Sequence, residues 1–296
     1  MIAAGLAVAA FAWMYARIVS GLVAEWVSSP DASYGLVLTC VAIALVWRRR
    51  HAFVDAIDPS GEVARPIAAM LSSLGLFVAG QLGADLFLTR LSLVAVLVSA
   101  LWLLAGSRAV RTLAAPLAFL LIAVPLPAIL VNAITLPLQL VASRIAESTL
   151  AFAGVPVFRD GNMLTLPSTT LEVAEACSGL RSLVSLVAIA GLLAWSTPGR
   201  VGWRVALVVA AVPIAIVMNG LRIAATGLAC EAFGTRAAAN PWHELEGWIT
   251  FVASVALLAV CERVFERSAK TSRSVKPMER GNPMEREASA ERHVLA

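Results

Sequence analysis

The stretch "LVSLVAIAGLLAWS" at 183–196 is rich in Leu, Ala and Val, carries no charge and shows no period. With no polar face to turn toward water, it predicts a helix surrounded by apolar material, spanning about residues 180–197. The same composition recurs on both sides. Comparable spans are predicted at 2–23, 34–47, 66–83, 91–106, 112–131, 205–221 and 248–262. A backbone in lipid must satisfy its own hydrogen bonds, so these runs are expected to be helices. The short alternating segments of a membrane barrel are not seen. The chain of 296 residues is 59% hydrophobic and 14% charged, against about 25% charged residues in a soluble domain. The expected fold class is therefore all-α, a polytopic integral membrane protein with about eight transmembrane helices. The first segment, "MIAAGLAVAAFAWMYARIVSGLV", lacks a basic leader and reads as a first span rather than a cleaved signal.

Basic residues set the expected orientation. With the N-terminus inside, the inner segments 48–65, 107–111, 198–204 and 263–296 hold 4, 2, 2 and 8 Lys or Arg, 16 of the 23 in the chain. "WRRRH" at 47–51 is the strongest anchor, and an N-in, C-in topology follows. That placement accounts for the net charge of +4 through the membrane, with lipid and not nucleic acid as the partner. Trp26, Trp47 and Trp248 fall near span ends, where an aromatic belt is expected. Residues 1–265 form one membrane domain; 266–296 is a charged tail, expected to be disordered and cytoplasmic. Four cysteines without a CxxC pair, and three histidines, indicate neither a disulfide framework nor a zinc knuckle; no metal or other cofactor is expected.

Two outer segments interrupt the apolar pattern. In the first, residues 134–153 carry Gln139, Arg144 and Glu147 and are expected to form an amphipathic interfacial helix, or a re-entrant pass. "VFRDGNMLTL" then suggests a small hairpin with Asp160-Gly161 at its turn. The second is 222–247, between spans seven and eight.

The polar residues of interest all meet one face under this topology. Cys177 begins the sixth span in "AEACSGLRS", with Arg181 four residues on; Arg222 ends the seventh; His243 precedes the eighth in "NPWHELEGW". Cysteine, histidine and arginine make an acyl-transfer set. A thiol must lose its proton to attack a carbonyl, an imidazole can take that proton and later protonate the leaving amine, and a helix start or a cation favours the thiolate. The Ser178, Gly179 and Leu180 amides, with an arginine, would suit an oxyanion. Each residue also has a plainer role. Buried cysteines are more often small core hydrophobes, and Cys40, Cys230 and Cys261 are assigned to that class. Arginine at a span end more often snorkels to head groups, and His243 beside Trp242 can anchor at the interface. Glu172 and Glu175 are outer-loop carboxylates or partners for Arg181. Asn219 within a span suggests a buried hydrogen bond. On these features alone a membrane acyltransferase, a transporter and an export scaffold stay open beside a peptidase.

A resemblance narrows this. "GNMLTLPSTTLEVAEACSGLRSL" at 161–183 resembles the core block of the exosortase and archaeosortase family. "PLPAILVNAITLPLQLVAS" at 125–143 is similar to the block before it, "IAIVMNGLRIAATG" at 214–227 to the Asn-x-x-Arg-Ile block, and "HELEGW" at 243–248 to the histidine block. The likeness covers roughly residues 26–265. It implies a cysteine peptidase or transpeptidase with Cys177, Arg222 and His243 as the catalytic residues and Arg181 and Asn219 at matching positions; Ser178 and Glu175 flank the nucleophile as supporting residues. Many members carry a His-Gly pair near the second span; here the segment is Ser33-Tyr34-Gly35 without the histidine. The resemblance further implies substrates that are exported proteins ending in a Pro-Glu-Pro motif, a transmembrane helix and a basic cluster. It implies a link to exopolysaccharide, and a bacterial inner membrane with the site facing the periplasm. Whether the acyl-enzyme passes to water or to an amine is left open.

Overall fold

The computed structural model describes residues 2–29, 32–58, 63–173, 179–196, 201–234 and 242–274; at 2–8, 242–244 and 265–274 it describes backbone alone. Ten helices carry the described chain: α1 Ile2–Ser28, α2 Tyr34–Arg48, α3 Arg50–Asp55, α4 Ala64–Leu82, α5 Leu86–Thr112, α6 Ala114–Ile122, α7 Ala128–Phe152, α8 Leu180–Ser196, α9 Val201–Phe233 and α10 Trp242–Ser274. Three short strands, β1 Phe158–Asp160, β2 Met163–Thr165 and β3 Thr170–Glu172, stand between α7 and α8. Five helices are long and apolar enough to cross a membrane: Ala64–Leu82, Leu86–Thr112, Ala128–Phe152, Val201–Phe233 and Leu245–Val264. The outer surface of the bundle is itself apolar, with Trp13, Val37, Ile43, Leu71 and Ile129 all exposed. A water-soluble bundle would hide such residues, so lipid is the surrounding solvent. The protein is a helical, multi-pass membrane protein.

Neighbouring helices are tied through close backbone approaches. α4 and α5 form a hairpin in which Gly80 sits against Thr89, and Asp85 caps α5 by accepting from the Leu88 amide at 2.9 Å. α5 kinks at Gly106, where φ is +85°. The sequence places the end of the fourth span at that residue, and the loop after α3 packs there, with the Asp58 amide donating to the Ala105 carbonyl at 3.0 Å. α7 and α9 run parallel. Gly220 lies against Ile145 and Ala142, and Gly227, about two turns further along the same face, lies against Leu150.

Several expectations are corrected. The span expected at 112–131 is divided: α6 ends at Ile122, and α7 begins at Ala128 after Pro125 and Pro127. Proline cannot donate to a helical ladder and holds the residue before it extended, which breaks the helix here. The carbonyl of Ala123, freed by that break, accepts from the Trp26 indole at 3.1 Å. Trp26 is therefore 7% exposed and packed on Gly35, a core residue and not part of a belt, whereas Trp47 and Trp248 are each 69% exposed as a belt requires. The segment expected to be an interfacial helix or a re-entrant pass, 134–153, is the greater part of α7, a 25-residue helix apolar enough to cross. α9 does not end at Arg222 but continues to Phe233; its Ala-rich sequence beyond Arg222 contains no proline. α10 continues past residue 265 to Ser274. Of the other cysteines, Cys230 is buried as expected, Cys261 is half-buried, and Cys40 is exposed on the bundle surface.

The strands form one antiparallel sheet in the order β1-β2-β3. The hairpin forms as expected, but Asp160 pairs with Met163, so its two turn residues are Gly161 and Asn162. Gly161 takes φ +60°, the sign the first position of a tight hairpin turn demands. β3 has no counterpart in the sequence expectation. Alternation along β2 points Leu164 inward, and with Leu166 and Val173 it buries against Ala142, Ala146, Leu150, Ile223 and Ala224. The sheet thus rests on the paired α7 and α9, next to the segment that leads to Cys177.

Candidate functional site

Residues 174–178, hence Cys177, Ser178 and Glu175, lie outside the described residues. Both flanks of that segment are fixed. On one side Val173 is held by Asn162 twice, its amide donating to the Asn162 carbonyl at 3.0 Å and its carbonyl accepting from the Asn162 carboxamide at 3.2 Å. The turn before β3 is fastened to α9, where Glu231 accepts from both the amide and the hydroxyl of Ser168. The other side of the β1-β2 hairpin is fastened to α7 by an ion pair of 2.7 Å between Arg159 and Glu147, and by the Ser143 hydroxyl donating to the Gly161 carbonyl at 3.1 Å.

On the far side of the nucleophile segment stands Gly179, with φ +79°. Its α-carbon faces Asn219 so closely that an added Cβ would lie 2.7 Å from the Asn219 Cγ. Asn219 is 4% exposed and comes from the middle of α9. The start of α8 is therefore seated on α9 at Asn219, which fulfils the expectation of a buried polar residue in this span. Helical rise makes the match in height intelligible. α8 has 17 residues, about 25 Å, and Val201 to Asn219 spans about 27 Å, so Gly179 and Asn219 stand level above the α8–α9 connection.

Arg222 lies one turn beyond Asn219 on α9 and is half-buried. Its guanidinium carbon is 3.7 Å from the position of a Cβ at Gly247, so the arginine head lies against α10 at that residue. His243 is described by backbone alone, in the first turn of α10 and four residues before Gly247, on the same helical face. Three elements thus converge: the start of α8 on Asn219, the adjacent turn of α9 bearing Arg222, and the first turns of α10 bearing His243. Arg181, in the first turn of α8, is exposed, unlike Arg222.

Two residues not singled out in the sequence complete this corner. The Thr226 hydroxyl donates to a Glu246 carboxylate oxygen at 2.7 Å and lies 3.1 Å from the Arg222 carbonyl. This contact ties α9 to α10 beside the arginine. Its signal was present in the spacing, since Thr226 follows Arg222 by four residues and Glu246 follows His243 by three. Away from this corner, Arg90 is buried and paired with Glu25 at 2.6 Å, linking α5 to α1.

In comparisons with known proteins, the family model described as transmembrane exosortase matches residues 26–260. No curated protein and no solved structure matches the chain.

Proposed function

The chain belongs to the transmembrane exosortase family, and from that premise we propose that it is a membrane-embedded cysteine peptidase or transpeptidase that sorts exported proteins. The observation that carries this is the meeting of three separate helices at one place: Gly179 on Asn219, Arg222 on Gly247, and His243 one turn before Gly247 on α10. Cys177 is joined to Gly179 through a single residue, so a fully extended chain keeps the two α-carbons within about 7 Å.

In the proposed reaction His243 takes the proton of the Cys177 thiol, and the thiolate attacks a substrate carbonyl carbon. The carbonyl electrons move to oxygen, and the oxyanion is met by the Arg222 guanidinium, the Asn219 carboxamide and the amides at Ser178 to Leu180. The C–N bond then breaks, His243 returns its proton to the leaving amine, and a thioester to Cys177 remains. An incoming amine or water resolves it. Thr226 and Glu246 hold α9 and α10 in register, which keeps Arg222 beside the turn of α10 that bears His243. Arg181 is a local charge at the head of α8, and Glu175 and Ser178 support the nucleophile segment.

The proposed topology is N-in and C-in with eight crossings in residues 1–265, α6 and α7 forming one broken crossing. Its support is that basic segments gather at one end. Arg49 stacks on Trp195 at 4.9 Å, and the loop after α3 packs at the kink of α5. The reactive corner then faces the periplasm of a bacterial inner membrane, and the charged tail stays inside. The proposed substrates carry a C-terminal Pro-Glu-Pro motif, a transmembrane helix and a basic cluster, and belong to exopolysaccharide-associated surface sorting. Expression of such a protein with this enzyme tests the reading: wild type yields a shortened product, and Cys177→Ala, at equal membrane abundance, accumulates the full-length form. Unchanged processing by Cys177→Ala removes the peptidase reading and returns the acyltransferase and scaffold alternatives.

A further inference from the structure

A recess opens between α7, α8 and α9 beside Gly179. Leu138 and Ala142 line it from α7, Leu183 from α8, and Ala215 and Ile216 from α9, with Gly179 and Asn219 completing the wall. Its enclosed volume is about 10 Å³, and beyond that it is open to its surroundings. Leu183 lies one helical turn after Gly179, and Ala215 one turn before Asn219, so the recess lies directly beneath the proposed reaction level and toward the membrane centre. Among the described residues no acidic or basic side chain lines it. The proposed chemistry uses only its Gly179 and Asn219 edge and leaves the apolar lining from α7, α8 and α9 without a role.

We infer that this recess is the enzyme's specificity pocket, taking a small apolar side chain, of alanine to valine size, from a substrate residue adjoining the scissile bond. This rests on Cys177 being the nucleophile. A carbonyl attacked by a thiol two residues from Gly179 lies within about 12 Å of that residue, so a side chain beside it can reach the same wall. An apolar, charge-free lining rejects a charged side chain, which would lose its hydration without a partner. The small volume rejects an aromatic ring, since Ala142 and Ala215 are buried in helix–helix contacts and cannot retreat. A pocket of this kind discriminates by size, roughly 10- to 200-fold per methylene.

Two opposite variants test it. Leu138→Ala widens the recess and Ala215→Val narrows it. The substrate is a sorting-signal protein whose cleavage point is first mapped with wild-type enzyme, then varied to Ala, Val or Phe at each residue adjoining that point. Wild type is expected to favour Ala and Val over Phe by at least tenfold in kcat/KM. Leu138→Ala should raise the Phe-to-Ala ratio about tenfold or more, and Ala215→Val should lower the Val-to-Ala ratio by a similar factor. Misfolding lowers every substrate together and cannot produce ratios that move in opposite senses. Cys177-dependent cleavage with ratios unchanged in both variants overturns the pocket alone. Selectivity that moves only at residues further along the substrate's membrane helix also overturns it and assigns the recess to that helix. Cleavage that persists in Cys177→Ala overturns the parent reading and this one with it.

Discussion

Replacing Gly179 by alanine strikes the seat on which the nucleophile segment rests. Gly179 has φ +79°, and its new Cβ would lie 2.7, 2.9 and 3.0 Å from the Cγ, Nδ2 and Cβ of Asn219. A left-handed conformation costs an L-residue about 1–2 kcal/mol, and forcing Asn219 off its rotamer adds about 0.5–1.5 kcal/mol. Asn219 is buried on a continuous helix, so the shift falls on its side chain. If the whole penalty of about 1.5–3.5 kcal/mol opposes the competent site, the cleavage rate falls roughly tenfold to a few hundredfold. Thermal unfolding in detergent and cleavage of a sorting-signal substrate read the two consequences separately. The double variant Gly179→Ala/Asn219→Ala removes the two closest contacts and leaves the left-handed strain. The cost of Gly179→Ala should therefore be smaller in the Asn219→Ala background. Equal costs in the two backgrounds, or a single variant that melts and cleaves like wild type, would refute the contact and the reasoning built on it.

Arg222→Lys keeps the charge but loses the planar fork, and should lose roughly a hundredfold to a thousandfold in cleavage rate while folding normally; Arg181→Lys, at an exposed position, should cost far less. His243→Ala should be as damaging as the Arg222 change, measured at matched membrane abundance, and a near-wild-type rate would remove the general base. Glu246→Gln keeps a hydrogen-bond acceptor for Thr226 and should be mild, whereas Glu246→Ala frees the α9–α10 clamp and should lower kcat with little change in melting; equal effects of the two would contradict a positioning role. Single cysteines near 160 and 236 should label from outside intact cells and those near 56 and 280 should not, and the reverse pattern would invert the topology.

Much of the architecture was legible because lipid imposes a simple rule on sequence. The runs at 34–47, 66–83 and 180–197 coincide with α2, α4 and α8 to within two residues at each end. Hydropathy says nothing about where a helix breaks inside an apolar run, so α6 and α7 were read as one span followed by an interfacial or re-entrant segment; the Pro125–Pro127 pair held the missing information. α7 was hard to read for a related reason. Gln139 is buried and Glu147 is engaged by Arg159, so two of the three polar residues behind the interfacial or re-entrant reading are turned to the protein, while Arg144 is exposed. Trp26 looked like a belt residue because its role depends on a carbonyl at Ala123, far away in sequence. For the site, the sequence identified residue types and order, while Gly179 on Asn219, Gly247 under Arg222 and the Thr226–Glu246 tie depend on which helices are neighbours.

The central claim is that Cys177 carries the acyl group, and intact-mass analysis of the enzyme caught with its substrate tests it most directly. Purified protein in lipid nanodiscs is mixed with a sorting-signal substrate and quenched in acid within the first turnover. A mass increase equal to the N-terminal substrate fragment less one water is expected, mapped to Cys177, removed by hydroxylamine and absent from Cys177→Ala. Cleaved substrate without an adduct in any quench, together with cleavage by Cys177→Ala at the wild-type rate, would contradict it.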